Sequence, residues 1–189
     1  MQPAPAAPSI EAGHARETRK IEPQALTEPE PRPVPSLPAQ RLLVATDELD
    51  TSHARPDRAD VVRALYALAD AIEVVAPAHP NEILRVREVA NELGLSGQRA
   101  EAEAVLVRIA LDAATRALAH VKLQPHTDRA RLAEAIAALR DAADRIDPDR
   151  PLLSQYRTMR SAFHASVRAV YAATGAPEPE IATPRASLQ

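Results

Sequence analysis

Cysteine and tryptophan are absent from this chain, glycine occurs four times in 189 residues, and one Phe and three Tyr are its only other aromatics. Each shortage removes a class of structure or chemistry. Without cysteine there is no disulfide, no thiolate metal site and no cysteine nucleophile, whatever the compartment. Four glycines leave little material for tight hairpins or phosphate-cradling loops, so a β-rich fold is disfavoured. With aromatics at 2%, the core has to be filled by Ala, Leu, Val and Ile, which suits closely packed helices. No stretch reaches the roughly 18 apolar residues that span a bilayer. The opening residues, MQPAPAAPSIEAGHAR, lack a basic region followed by an apolar one and do not read as an export signal. A cytoplasmic protein is expected, or a periplasmic or secreted one if an export signal was removed.

An excess of one charge is also missing. The formal net charge is −3, and residues 51–175 carry seventeen bases against sixteen acids. A dedicated nucleic-acid binder should be plainly basic, so this near-neutral body disfavours nucleic acid as a partner.

What the chain does contain is a partial copy of itself, seventy-one residues away. Residues 57–80 (DRADVVRALYALADAIEVVAPAHP) align without a gap to residues 128–151 (DRARLAEAIAALRDAADRIDPDRP). Asp57/Asp128, Arg58/Arg129, Leu68/Leu139, Asp70/Asp141, Pro77/Pro148 and Pro80/Pro151 are identical. Val61, Leu65, Leu68, Ile72 and Val75 recur at helical spacing as a single apolar stripe, and Leu132, Ile136, Leu139, Ala143 and Ile146 repeat it. The match therefore keeps the core-facing stripe while the surface changes. Each copy ends in Pro-x-x-Pro, whose first proline stops one helix and whose second suits the first turn of the next.

Five helices are expected between residues 57 and 174. A second helix runs over 80–93 and stops at Gly94 and Gly97; a fifth runs over 151–174 and stops at Gly175. The third, over 98–122, is about 37 Å long at 1.5 Å per residue. Its segment AVLVRIALDAATRALAHV is apolar around most of its circumference, which predicts a central position. Nine of the eighteen prolines fall in the first 38 residues, and EPEPRPVPSLP, residues 28–38, cannot hold a helix or a central strand. The expected organisation is an all-α fold: a disordered Pro/Ala-rich arm over 1–50, a helical domain over 51–175 as a five-helix bundle or short hairpin array, and a disordered tail over 176–189. Residues 40–45, QRLLVA, form an apolar patch suited to packing on that domain.

Val86-x-x-Val89-Ala90-x-x-Leu93, followed by Ala102-x-x-x-Leu106, resembles a tetratricopeptide-type helical hairpin over about one unit, residues 83–116. Val86 stands where that family usually has an aromatic, and no proline follows Leu106 at the family's distance. The resemblance implies a peptide- or partner-binding scaffold. The matching residues are packing positions, so it transfers no binding residue.

Candidate chemistry concentrates on the fifth helix. Arg157, Arg160, His164 and Arg168 fall on one stripe of a segment that contains no acidic residue, beside an apolar stripe of Leu152, Tyr156, Met159, Phe163, Val167 and Val170. The basic stripe can bind an acidic protein, a phosphate or nucleic acid, or it can be a solvated face paired with Glu134, Asp141 or Asp144 of the preceding helix. His120, His126 and His164 are weak metal candidates, since no helix carries a His-x-x-x-His or Glu-x-x-His pair. Carboxylate pairs such as Glu101/Glu103, Asp141/Asp144 and Asp147/Asp149 do not sit in runs that look buried, so no acid–base pair is indicated. No phosphate-binding loop or nucleophile-elbow motif occurs. The expected function is a non-enzymatic protein-interaction or scaffold module without a cofactor, partnered by another protein or a second copy of this chain. It would bind through the basic stripe or the exposed side of the third helix, with the proline-rich arm as a tether. The alternative is a regulator that binds an anionic ligand or nucleic acid through the basic stripe.

Overall fold

A computed structural model of the chain describes residues 33–51, 57–95 and 100–181. Six α-helices and one short 3₁₀ turn make up the architecture, and no strand occurs among the described residues. In chain order they are α1 (Leu37–Thr51), α2 (Arg58–Val75), α3 (Pro80–Gly94), α4 (Ala100–Ala119), α5 (Arg129–Asp144), the 3₁₀ turn Leu152–Gln155, and α6 (Tyr156–Thr174).

Local chemistry starts and stops these helices as the sequence directs. Asp57 caps α2 by accepting from Asp60 N–H at 2.9 Å, while the Asp60 carboxylate accepts from Asp57 N–H at 2.8 Å, a reciprocal capping box. The matching Asp128 caps α5 by accepting from Arg131 N–H at 3.0 Å. Pro80 opens α3 in the first turn, where its missing N–H costs nothing. Gly175 closes α6 in the left-handed region at φ 71°, and its N–H donates to Ala172 O while Ala176 N–H donates to Tyr171 O, a Schellman motif.

The apolar stripes turn inward. α2 and α3 pack against each other, as do α5 and α6, and α4 touches both pairs. The core between them is largely alanine and leucine, with Phe163 as the largest fully buried side chain. Small side chains let the helices approach closely, and contact area then replaces the bulk that aromatics would have supplied. The central position expected for the third helix is the position of α4, which packs on α2, α3, α5 and α6.

Three boundaries differ from the sequence expectation. The arm assigned to 1–50 contains α1, so the helical body begins at Leu37 and has six helices rather than five. Ala39, Leu42, Ala45 and Leu49 are buried on one face of α1, which packs on α2 and α6; Pro38 sits in its first turn and does not obstruct it. The body also passes residue 175, because Ala176 is buried and its carbonyl accepts from Arg131 Nη1 at 3.3 Å. Last, the chain after Pro151 enters a 3₁₀ turn, and α6 starts only at Tyr156. At the end of that turn the Gln155 carboxamide bonds back to the loop behind it instead of facing solvent.

Candidate binding surfaces

The basic stripe of α6 lies largely among partners. Arg168 pairs with Glu178 at 2.9 Å and with Glu134 at 3.5 Å. Arg160 Nε donates to His164 Nε2 at 3.1 Å, and neither residue lacks other interactions. Arg157 has no carboxylate within ion-pair distance among the described residues; its Nε donates to Tyr156 Oη at 3.1 Å and its guanidinium lies 5.8 Å from the Tyr156 ring centroid. Of the three acids expected opposite this stripe, Glu134 alone reaches it. Asp141 pairs with Arg145 at 2.8 Å and Asp144 with Arg108 at 3.3 Å. Pairs this exposed contribute about 0–1 kcal/mol each, so they localise charge more than they stabilise the fold.

The three candidate histidines are placed separately. His120 follows α4 and stacks on His79 of the α2–α3 corner, ring centroids 5.4 Å apart, a pairing that sequence reasoning missed. The His126 carbonyl lies against Gly175, and His164 belongs to the Arg160 contact. Among the described residues, no three His, Asp or Glu side chains converge as a metal site would require.

One carboxylate contradicts the reading that none is buried. Glu103 on α4 is 4% exposed and forms an ion pair with Arg58 at the start of α2. Its segment reads as solvated because Glu101 and Glu103 alternate with alanine at the start of α4, and the packing of α2 on α4 covers Glu103. On the outer face of α2 and α3, Arg87 donates to Glu73 at 2.6 Å and to Asp70 at 2.9 Å, and these bonds push its guanidinium pKa above the usual value. Tyr66 donates to Asn91 on the same face.

Two concavities stand out among the described residues. One is an apolar groove of about 260 Å³ between the end of α4 and the first half of α5. Leu118, Val121 and Leu132 form its floor, Ile136 is half-buried in it, and Leu123 stands 44% exposed at its edge. The other is a polar cleft of about 460 Å³ at the α5–α6 corner, lined by Arg145, Arg150 and Arg157. Arg145 and Arg150 were not singled out in the sequence. The signal available was the repeat itself, since they stand where the first copy has Val74 and His79. No helix among the described residues is long and apolar enough to cross a membrane. Comparison of the chain with known protein families, curated proteins and solved structures gave no match.

Proposed function

We propose that this protein is a non-enzymatic interaction module that docks an apolar segment of another protein, flanked by acidic residues, in the groove between α4 and α5. The observation that carries the reading is a difference between matched stripe positions. Leu65 on α2 is fully buried, whereas its counterpart Ile136 on α5 is half-buried and lines an open groove. The first copy has α1 laid against it; among the described residues, the second has only α4 and α6 packed on it. An apolar stripe left open in this way gains about 1.5–3 kcal/mol for each large apolar side chain that a partner buries there.

Volume and charge narrow the occupant. A groove of about 260 Å³ receives one or two side chains rather than a whole helix, so a short segment with one or two apolar anchors fits. Arg129 lines the groove and Lys122 adjoins it, both exposed and neither in an ion pair among the described residues. They favour acidic residues beside the anchors. The proline-rich stretch ahead of the helical body, of which residues 1–32 lie outside the described residues, serves in this reading as the tether.

The test is capture from native lysate by the full chain, comparing wild type, a Leu123→Glu/Ala133→Glu variant and a Leu84→Glu control. All three positions are exposed, so folding is retained. The expected result is a stoichiometric partner held by wild type and the control and lost by the groove variant. Sedimentation of the same three proteins identifies a second copy of the chain as the partner if wild type and the control dimerise and the groove variant does not. Equal capture by the groove variant, with no change in self-association, overturns the reading. The alternative, an anion-binding regulator acting through α6, is favoured by Arg157, which has no carboxylate partner among the described residues.

A further inference from the structure

We infer that the cleft at the α5–α6 corner is a binding site for a small polyanion carrying two or more adjacent phosphate groups. Three arginines line it from three different stretches of chain. Arg145 follows the last residue of α5, Arg150 lies in the connecting loop, and Arg157 lies in the first turn of α6.

The guanidinium groups retain unmatched positive charge. Arg150 has no ion pair among the described residues, and the bond from Arg157 to Tyr156 orients its guanidinium without neutralising it. Arg145 is the one member with a carboxylate partner, Asp141; both side chains are more than 60% exposed, so that pair is weak and exchangeable. The one acid lining the cleft, Asp147, is already used locally, accepting from Asp149 N–H at 2.9 Å. The charged groups lining the cleft therefore sum to a net positive site. Planar guanidinium forks match the oxygens of phosphate, and three separated forks exceed what a single carboxylate or phosphate can engage.

The frame around these arginines is rigid. Gln155, 6% exposed, accepts from Asp147 N–H at 2.7 Å and donates to Asp147 O at 2.8 Å and to Arg150 O at 3.0 Å. Leu152 and Met159 are buried on either side of it. The loop bearing Arg150 is thus fastened to the start of α6, beside Arg157. The Ser154, Tyr156 and Thr158 hydroxyls add hydrogen-bonding groups to the wall. α6 has neither a side-chain cap nor an acidic residue in its first turn, so the positive end of its dipole adds to the same field. A volume of about 460 Å³ falls within the range of small-molecule sites, and its polar lining suits a charged ligand rather than an apolar one.

The turn itself does not require these arginines. Within the matched segments, the first copy builds its Pro-x-x-Pro corner with Val74 and His79 where the second has Arg145 and Arg150. The added charge therefore belongs to this corner alone and is independent of the groove between α4 and α5.

The experiment is calorimetric titration of the full chain at low salt with pyrophosphate, tripolyphosphate and ATP. Wild type is compared with Arg150→Gln/Arg157→Gln, with Arg116→Gln as a distant exposed control and with the Leu123→Glu/Ala133→Glu groove variant. Circular dichroism melts confirm folding of each. The expected result is one-to-one binding of tripolyphosphate that weakens at least tenfold in Arg150→Gln/Arg157→Gln and is unchanged in the other two variants. ATP binding as tightly as tripolyphosphate assigns recognition to the phosphate chain; tighter ATP binding adds a contribution from the nucleoside. The inference is overturned if wild type binds none of the probes, if the double variant binds as wild type does, or if Arg116→Gln weakens binding equally.

Discussion

The α2–α3 corner passes from Val75 to Pro80 in one tight turn, with Ala76 N–H donating to Ile72 O at 2.7 Å and His79 N–H to Ala76 O at 3.1 Å. The α5–α6 corner starts from the same Pro-x-x-Pro punctuation, yet runs from Arg145 through a 3₁₀ turn before α6 begins. Four residues past the second proline, the first corner has Leu84, which is 55% exposed, and the second has the buried Gln155. Proline placement thus fixes where a helix must stop, while one side chain able to bond the loop backbone decides how wide the corner becomes. The wider corner has room for a cleft. At the tighter one, His79 stacks on His120.

The largest effect separating the two hairpins is expected at the glycines that end α3 and α6. A Cβ on Gly175 would lie 2.1 Å from His126 O, on a backbone already at φ 71°. Gly175→Ala is expected to cost about 2–4 kcal/mol, combining left-handed strain with overpacking against a backbone that cannot rotate away. The same substitution at Gly94, inside the helix, meets only Val62 Cγ1 at 4.0 Å and is expected to stabilise by about 0.5–1 kcal/mol. Denaturant melts of the two variants check this, and equal midpoints would refute the close approach of the 125–128 loop to the end of α6. Next comes Gln155→Ala, expected to cost about 2–3 kcal/mol because three backbone groups of the corner lose their partner. Leu84→Ala should stay within about 0.5 kcal/mol. A near-neutral Gln155→Ala would mean that water replaces the clip and that the two corners differ in charge only. Smaller again, Asp57→Ala and Asp128→Ala should each cost about 1 kcal/mol through loss of a helix cap. Asp60→Ala should cost no more than about 1 kcal/mol, since it removes the reciprocal half of the first capping box and an exposed ion pair with Arg63.

Much of this architecture was readable from residues, and the failures share a cause. The stripe from Val61 to Val75, Pro80 and Gly175 place α2, α3 and the end of α6, because spacing and punctuation are local properties. α1 escaped because the prolines before it dominate the composition, although Ala39, Leu42, Ala45 and Leu49 already keep helical spacing. Surface chemistry was less legible. Helical spacing puts Arg157, Arg160, His164 and Arg168 on one face, and Glu134 of α5 was among the acids expected opposite it, but the spacing says nothing of Glu178, which reaches Arg168 from beyond Gly175. Glu103 looked solvated because burial of a carboxylate depends on the helix that crosses it, here the start of α2 with Arg58. The cleft joins residues on both sides of a corner, so no single-helix pattern contains it. Only the difference between the two copies, Arg145 and Arg150 against Val74 and His79, marks it in the sequence.

The two hairpins also differ in how they hold a tyrosine, and this gives the smallest effect at neutral pH. Tyr66 lies near the surface of α2 and bonds Asn91, whereas Tyr171 on α6 is 4% exposed. Burial, and then the negative charge of Asp47, push the Tyr171 phenol above its ordinary value of about 10. When that value is raised in the folded state, the unfolded chain loses its proton first as the solution becomes alkaline. Tyr171 therefore contributes a stability component that is fully present below about pH 10 and is lost as pH rises through the folded value. Tyr171→Phe removes this component. The stability difference between wild type and Tyr171→Phe should be constant from about pH 7 to 9 and then shift in favour of the variant, as read from urea midpoints across that range. Tyr66→Phe should lose the bond to Asn91, about 1 kcal/mol at most, and keep the alkaline loss that Tyr171 causes. If Tyr171→Phe instead follows wild type above pH 10, the phenol is reached by water in the folded state and α1 does not seal the end of α6.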